Sequence, residues 1–314
     1  MKVCIVGAGA IGGWIGTRLA SAGLAQVSAV ARGATLAALR EHGWRLRLGE
    51  QLQQAPATAT DRPADLGRQD LVVIAVKGPA LAGLAGTLAP LIGPNTLLLP
   101  AMNGVPWWFG HGVAALGDAP LATVDPGGRL AGALPLDQVI GCVVHASCFT
   151  AEPGLVQHKM GNGLIVGEPL GGGSERVARL TDLLQRAGFD VTASTNVRYD
   201  IWYKLWGNLT MNPVSALTGA TIDKLLVDPE VRAFCSAAML EASAVGARIG
   251  CAISQTPEDR HAITARLGAF KSSMQQDVEA GRAIELDSIV GAVHELGQRL
   301  GVATPHISAL LGIT

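Results

Sequence analysis

Residues 2–21 read KVCIVGAGAIGGWIGTRLAS, and the order of residue types within them decides the fold of the first half of the chain. Lys2 to Val6 is a short β-rich run. It is followed by Gly7-Ala8-Gly9-Ala10-Ile11-Gly12 and then by a helical pattern through Ile15, Leu19 and Ala20. Strand, GxGxxG and helix in that order describe a dinucleotide-binding turn. Gly7 permits the tight turn, Gly9 the close approach of backbone to a pyrophosphate, and Gly12 the packing of helix on strand, with Ala10 and Ile11 in the same turn at the helix start. In a chain with 40 glycines the hexapeptide alone says little; its place directly behind an N-terminal apolar strand gives it meaning.

The same stretch has the outline of a secretory signal: Lys2, an uncharged run from Val3 to Thr17, then Ala20-Ser21-Ala22. Its five glycines suit a phosphate-binding turn better than a signal helix, and Arg18 interrupts the apolar run. No other segment is long and apolar enough to span a membrane.

The second strand, Gln26 to Ala31, bears on the nucleotide. An NAD site would place Asp or Glu near the strand end to bind the ribose hydroxyls, whereas this chain has Val30-Ala31-Arg32-Gly33. A guanidinium there suits a 2′-phosphate, which favours NADP; a solvated surface arginine is the competing reading, although the missing carboxylate counts independently against NAD. Further on, Asp70 to Val76 and Asn95 to Leu99 are apolar runs of the kind a parallel sheet buries on both faces. Ligands of such sheets lie beyond the carboxyl ends of the strands, where Lys77 and Asn103 fall, though position alone equally allows two loop residues. From Val139 to Phe149 and around Leu164 to Val166, β-rich runs would extend the sheet antiparallel, with His145 read as a hydrogen-bonded core residue. The Gly-, Pro- and Ala-rich stretch 117–135 reads as an exposed loop.

Composition limits the partners. The 314 residues are 49% hydrophobic and 16% charged, with Lys+Arg 24 against Asp+Glu 25. No overall field would draw this chain to nucleic acid or an anionic membrane, so a small-molecule partner is expected. Five scattered cysteines without a CxxC pair read as reduced thiols of a cytoplasmic protein, and seven histidines without HExxH give no metal site support.

After about Thr195 long helical periods replace the glycine clusters, which divides the chain into residues 1–195, an α/β Rossmann-type dinucleotide-binding domain, and 196–314, an all-α helical domain. Val231 to Ile249 reads as one helix. Thr256-Pro257-Glu258-Asp259 reads as a cap opening the next, and Leu286, Ile289, Val293, Leu296 and Leu300 as the stripe of a third. Residues 201–213, IWYKLWGNLTMNP, put Lys204, Asn208 and Asn212 at i, i+4 and i+8, beside an apolar face carrying Trp202, Trp206 and Leu209. Pro213 places Asn212 at the helix end or at a kink. The strip is either a solvated face or the wall of a cleft. Apolar helical surface in this half is compatible with a homodimer, but pattern does not separate interface from core.

GAGAIG near the start, Arg32, Lys77, Asn103-Gly104, WYKLWGNLTMNPVSALTG, FKSSMQQDV and GRAIELDSIVGAV together resemble the ketopantoate reductase (2-dehydropantoate 2-reductase) family, over nearly the whole chain. The resemblance implies a Rossmann domain and a helical domain with the site between them. It implies NADPH-dependent reduction of a 2-oxo acid substrate, 2-dehydropantoate to pantoate, on the route to coenzyme A. It makes Lys204 the general acid that protonates the ketone oxygen, and Glu285 the acidic residue that binds substrate hydroxyl and influences the lysine. A partly desolvated ammonium gives up its proton more readily and stabilises a developing alkoxide. From sequence alone, Glu285 is equally a helix-start carboxylate. By the same resemblance Asn208 and Asn212 orient substrate, Ser273 holds its carboxylate, and Asn103 lies near nicotinamide and substrate. Lys77 stands on the cofactor side, Arg32 on the adenosine phosphate, and Gly7, Gly9 and Gly12 on the pyrophosphate. Ile222 or its neighbours, and Phe270, stand where some members carry asparagines. This weakens the claim to ketopantoate and keeps two alternatives in view: reduction of another branched 2-oxo acid or related carbonyl compound, and a non-catalytic NADPH-binding sensor.

Overall fold

The computed structural model describes residues Met1–Thr314. They divide into two compact units, one made of Met1–Met102 and Arg129–Val197, the other of Asn103–Gly128 and Arg198–Thr314.

In chain order the first unit begins β1 (Lys2–Val6), α1 (Ala10–Ser21), β2 (Gln26–Val30), α2 (Gly33–His42), β3 (Trp44–Leu48), β4 (Gln51–Ala55) and β5 (Thr58–Thr60). It continues with β6 (Leu71–Ile74), α3 (Gly78–Leu84), β7 (Leu97–Pro100), α4 (Arg129–Ala133), β8 (Gly141–Glu152), β9 (Leu155–Gly167), α5 (Glu175–Arg186) and β10 (Asp190–Ser194). β5, β2, β1, β6 and β7 form an all-parallel sheet in that order. Val3 to Val6 and Leu71 to Ile74 are buried along their whole length, as a strand covered on both faces requires. The order reverses direction at β1, which makes the carboxyl end of that strand the switch point where such sheets bind ligands.

Apart from an isolated parallel bridge between Val139 and Leu98 of β7, the later β-runs do not extend this sheet. β8 and β9 pair antiparallel, and with β10, β3 and β4 they build a second five-stranded sheet. Helix α1 packs between the two, and its sequence explains how. A methyl added to Gly13 would meet Val156 Cγ2 of β9 at 2.5 Å, and one added to Gly16 would meet the Trp44 ring of β3 at 2.5 Å. Gly13 and Gly16, three residues apart on one face of α1, thus let the helix lie close on adjacent strands of the second sheet, while Gly12 meets Ile5 of β1 in the first. Trp14, Ile15 and Leu19 are fully buried, each contributing about 1.5–3 kcal/mol of hydrophobic stabilisation. His145 is exposed on β8 rather than in the core, because the strand carries it past the covered part of the sheet.

The second unit is helical: α6 (Val197–Thr218), α7 (Ile222–Val227), α8 (Pro229–Arg248), α9 (Pro257–Ala265), α10 (Ser273–Glu279), a π-helical turn at Asp287–Gly291 running into α11 (Ala292–Leu300), and α12 (Pro305–Ile313). Thr256 opens α9 with a capping box closed by Asp259. Pro213 does not end α6, which continues to Thr218. Trp202 and Trp206 are buried against α8: the Trp206 indole donates to Met239 O at 2.7 Å, and Gly246 leaves room for the Trp202 ring.

Residues 103–128 join this helical unit, where the sequence pattern suggested continuity with the nucleotide domain and an exposed loop from 117. The reason lies in their anchors. Phe109 stacks on Trp202, and Arg198 donates to the carbonyls of Phe109 and His111. Arg299 binds the carbonyls of Leu116, Ala119 and Pro120, while Glu295 accepts from the amides of Ala122 and Thr123 and from the Thr123 hydroxyl. No helix of the chain is long and apolar enough to cross a membrane.

Candidate functional site

In the first unit the residues expected to bind nucleotide gather at the carboxyl edge of the parallel sheet. Gly7 follows β1 with φ +91°, a left-handed conformation that favours glycine, and its amide donates to Val30 O at 3.0 Å. Gly12 packs so tightly on this turn that an added methyl would overlap the Gly7 carbonyl oxygen. Gly9 is different: exposed, at the N-cap of α1, with nothing within 4 Å of an added methyl. That open space, at a helix start where Ala10 and Ile11 present backbone amides, fits the pyrophosphate of a dinucleotide. Arg32 follows β2 as an exposed residue at the N-cap of α2, and Lys77 follows β6 as the half-buried N-cap of α3. Both therefore sit at the same edge as the glycine turn, an arrangement suited to the phosphates of NADP.

In the second unit the polar strip of α6 is partnered rather than simply solvated. Lys204 Nζ donates to Asn103 Oδ1 at 2.9 Å, across a sequence gap of 101 residues. Both residues are half-buried. Asn103 belongs to a turn made possible by Gly104, whose φ is +77° and at which an added methyl would lie 2.5 Å from Ser288 O and 2.6 Å from Ser288 Oγ. The Val105 amide closes the contact by donating to Ser288 O at 2.7 Å. Ser288 lies in the π-helical turn, its hydroxyl donating to Glu285 O at 3.4 Å, and Ile289 N also donates to Glu285 O. Glu285 is half-buried immediately before this turn. Three segments distant in sequence, 103–105, the middle of α6 and 285–288, are thus fastened together around Lys204.

Further along α6, Asn208 is half-buried and Asn212 is 6% exposed. The Asn212 Nδ2 atom is buried without a hydrogen-bond partner. An unmet amide donor costs stability, so a ligand oxygen is the natural acceptor for it. Ser273 is the exposed first residue of α10, and the cap of that helix is its neighbour Ser272, buried at 1%. Ile222 and Phe270, in contrast, hold up an apolar cluster. Ile222 is 1% exposed among Met211, Val214, Leu225 and Leu226, Phe270 packs against the same cluster, and the Ile222 amide donates to Phe270 O at 3.0 Å.

Gly104, Ser288 and Ser272 lie inside the quoted motifs, but the sequence pattern assigned them no role. The Asn-Gly dipeptide is a turn signal for the first, and Ser followed three residues later by Gln is a capping signal for the last; nothing local marks Ser288. Four of the five free cysteines are buried and Cys148 is half-buried; burial pushes the Cys4 and Cys148 thiols up to about 12 and those of Cys235 and Cys251 to about 11, so none is a ready nucleophile.

Comparison with known proteins gives the same outline. Residues 3–171 match the model of the ketopantoate reductase PanE/ApbA family, and residues 196–314 match its C-terminal counterpart. A 2-dehydropantoate 2-reductase of Mesorhizobium japonicum is 41% identical over 314 residues, covering 100% of this chain and 96% of its own. Among solved structures, a provisionally named ketopantoate reductase of Ralstonia solanacearum MolK2 superposes with a TM-score of 0.95 at 51% identity, covering 99% of this chain and 96% of that one. A 2-dehydropantoate 2-reductase of Methylococcus capsulatus does so with 0.84 at 28% identity, covering 99% and 95%. The chain belongs to the ketopantoate reductase family. It is an oxidoreductase with a Rossmann-type domain followed by a helical one.

Proposed function

We propose that this protein reduces 2-dehydropantoate to pantoate with NADPH, as a cytoplasmic enzyme of coenzyme A biosynthesis. The observation that carries the reading is Lys204: its ammonium is held 2.9 Å from Asn103 Oδ1, half-buried, on a strip that continues through Asn208 to the unpartnered amide of Asn212.

The Gly7–Gly12 turn, Arg32 and Lys77 would hold NADPH, whose chemistry at this site would be the supply of a hydride to the carbonyl carbon. The remaining work belongs to the chain. Asn103 accepts one of the three Lys204 protons, which fixes the direction of the ammonium and leaves the others for substrate. As negative charge grows on the ketone oxygen, Lys204 stabilises it and donates the proton that completes the alcohol. The lysine is then neutral and recovers its proton from water. Asn208 and Asn212 orient the substrate, Asn212 through the donor that has no protein acceptor, and Ser273 binds the carboxylate at the start of α10, where helix polarity also favours an anion. Glu285 accepts from the substrate hydroxyl.

The test is NADPH oxidation with 2-dehydropantoate beside a panel of other 2-oxo acids, with NADH as the cofactor control. NADPH-selective turnover with the highest kcat/KM for 2-dehydropantoate supports the proposal. Preference for a non-hydroxylated acid moves the substrate to another branched 2-oxo acid, in line with Ile222 and Phe270 supplying no polar group. NADPH binding with no turnover across the panel makes the protein a sensor. A homodimer is proposed for the same chain, tested by its mass in solution.

A further inference from the structure

Two buried serines that touch no proposed ligand form a continuous hydrogen-bond chain from the Asn212 carbonyl to the cap of α10, next to Ser273. Ser215 Oγ lies 2.9 Å from Asn212 O and 2.6 Å from Ser272 Oγ, and Ser272 Oγ lies 3.0 Å from Gln275 N. The directions follow from valence. A carbonyl only accepts, so the single Ser215 proton goes to Asn212 O. Ser272 must therefore donate to Ser215, and its own oxygen receives the Gln275 amide. The sequence is Gln275 N–H to Ser272 O–H to Ser215 O–H to the Asn212 carbonyl. Ser215 and Ser272 are 0% and 1% exposed, so water offers neither hydroxyl a substitute.

The position of this chain gives it a use. Pro213 has no amide proton, so α6 loses a backbone hydrogen bond directly after Asn212. The Ser215 hydroxyl ties down the Asn212 carbonyl at that weakened turn. At the other end Ser272 caps α10, whose first residue is Ser273. We infer that Ser215 and Ser272 are positioning residues, which set the spacing between the Asn212 amide and the Ser273 hydroxyl and so fix the grip on the substrate. The inference rests on the proposed roles of Asn212 and Ser273.

Ser215→Ala removes the link while leaving the Ser272 cap and the helical backbone in place. Because displacement of positioning groups by about 1 Å costs on the order of 100-fold in rate, kcat/KM for the 2-oxo acid is expected to fall roughly 10- to 100-fold. The loss should fall mainly on KM, since groups that hold substrate are disturbed and Lys204 is not. The Kd for NADPH should stay within about two-fold, the span expected of a substitution that leaves the cofactor's binding free energy unaltered. Ser215→Thr should restore KM, because a threonine hydroxyl in a helix reaches the same backbone carbonyl. If Ser215→Ala does not fold, Ser215→Cys keeps the volume with a weaker donor and serves the same comparison. An unchanged KM in a variant that merely melts earlier, or a threonine variant that stays impaired, overturns the inference. A wild-type protein that turns over no 2-oxo acid instead refutes the functional reading on which it rests.

Discussion

The glycines of the Gly7–Gly12 turn make separable predictions because the structure surrounds them differently. At Gly9 the backbone has φ −78° and ψ −155°, which alanine adopts without strain, and nothing lies within 4 Å of the added methyl. Alanine is a poorer helix cap than glycine by up to about 1 kcal/mol. It also restricts the unfolded chain by about 0.4–1 kcal/mol, so the two effects nearly cancel. Gly9→Ala should therefore leave Tm within about 2 °C of wild type. Its methyl would nevertheless occupy the space left for the pyrophosphate, and NADPH affinity should fall about 10- to 100-fold, equivalent to about 1.4–2.8 kcal/mol. At Gly12 the added methyl would overlap the Gly7 carbonyl oxygen and approach Ile5 Cγ2 to 3.0 Å. Backbone cannot yield as a side chain does, so Gly12→Ala should lose about 1–3 kcal/mol or more, visible as a lower Tm even without nucleotide. Thermal melts of the nucleotide-free protein and fluorescence titration with NADPH read the two effects separately. A Gly9→Ala protein that binds NADPH as tightly as wild type would refute the placement of the pyrophosphate, and a Gly12→Ala protein of wild-type stability would refute the packing argument.

Arg32→Ala should weaken NADPH about 10-fold or more while leaving NADH nearly unchanged, because only the former offers a 2′-phosphate for a charge-assisted contact; an unchanged NADPH-to-NADH ratio of Kd values argues against this role. Glu295 predicts a pH dependence of stability. Burial raises its pKa, but the Thr123 hydroxyl, the Thr123 and Ala122 amides and Arg299 together bring it below the ordinary value of 4.5. A carboxyl with a depressed folded pKa contributes stability that is fully present above the unfolded pKa and is lost as pH falls through the folded one. The stability gap between wild type and Glu295→Gln should accordingly be greatest near neutral pH and shrink below about pH 4.5; urea denaturation that gives a constant gap from pH 7 to 3 would contradict this.

What could be read from the sequence was whatever depends on neighbours along the chain. The β1 run, the glycine turn and α1 are consecutive, and Lys204, Asn208 and Asn212 share a strip because a helix repeats every 3.6 residues. The β-rich runs of β8 and β9 were legible as strands, but neither their pairing with each other nor their sheet was. Membership depends on Trp44 and Val156 meeting Gly16 and Gly13 on one face of α1, a tertiary contact without a local signature. The stretch after β7 misled for a similar reason: its Gly and Pro content reads as a loop, while Glu295, Arg299 and Arg198 supply hydrogen bonds from far along the chain. At the site, local pattern placed Lys204 but left its surroundings open. Its partner Asn103 depends on Gly104 fitting against Ser288, and the distinction between Ser272 as cap and Ser273 as exposed residue is a matter of one position at a helix start.

Lys204 is proposed to supply the proton in the reduction of 2-dehydropantoate. Steady-state kinetics of Lys204→Ala with NADPH and 2-dehydropantoate, measured together with the Kd for NADPH, test that role. Loss of a general acid should lower kcat by about 10²- to 10⁴-fold while the Kd for NADPH, for which the Gly7–Gly12 turn, Arg32 and Lys77 are the proposed main contacts, stays near the wild-type value. Turnover at the wild-type rate in that variant would contradict the account.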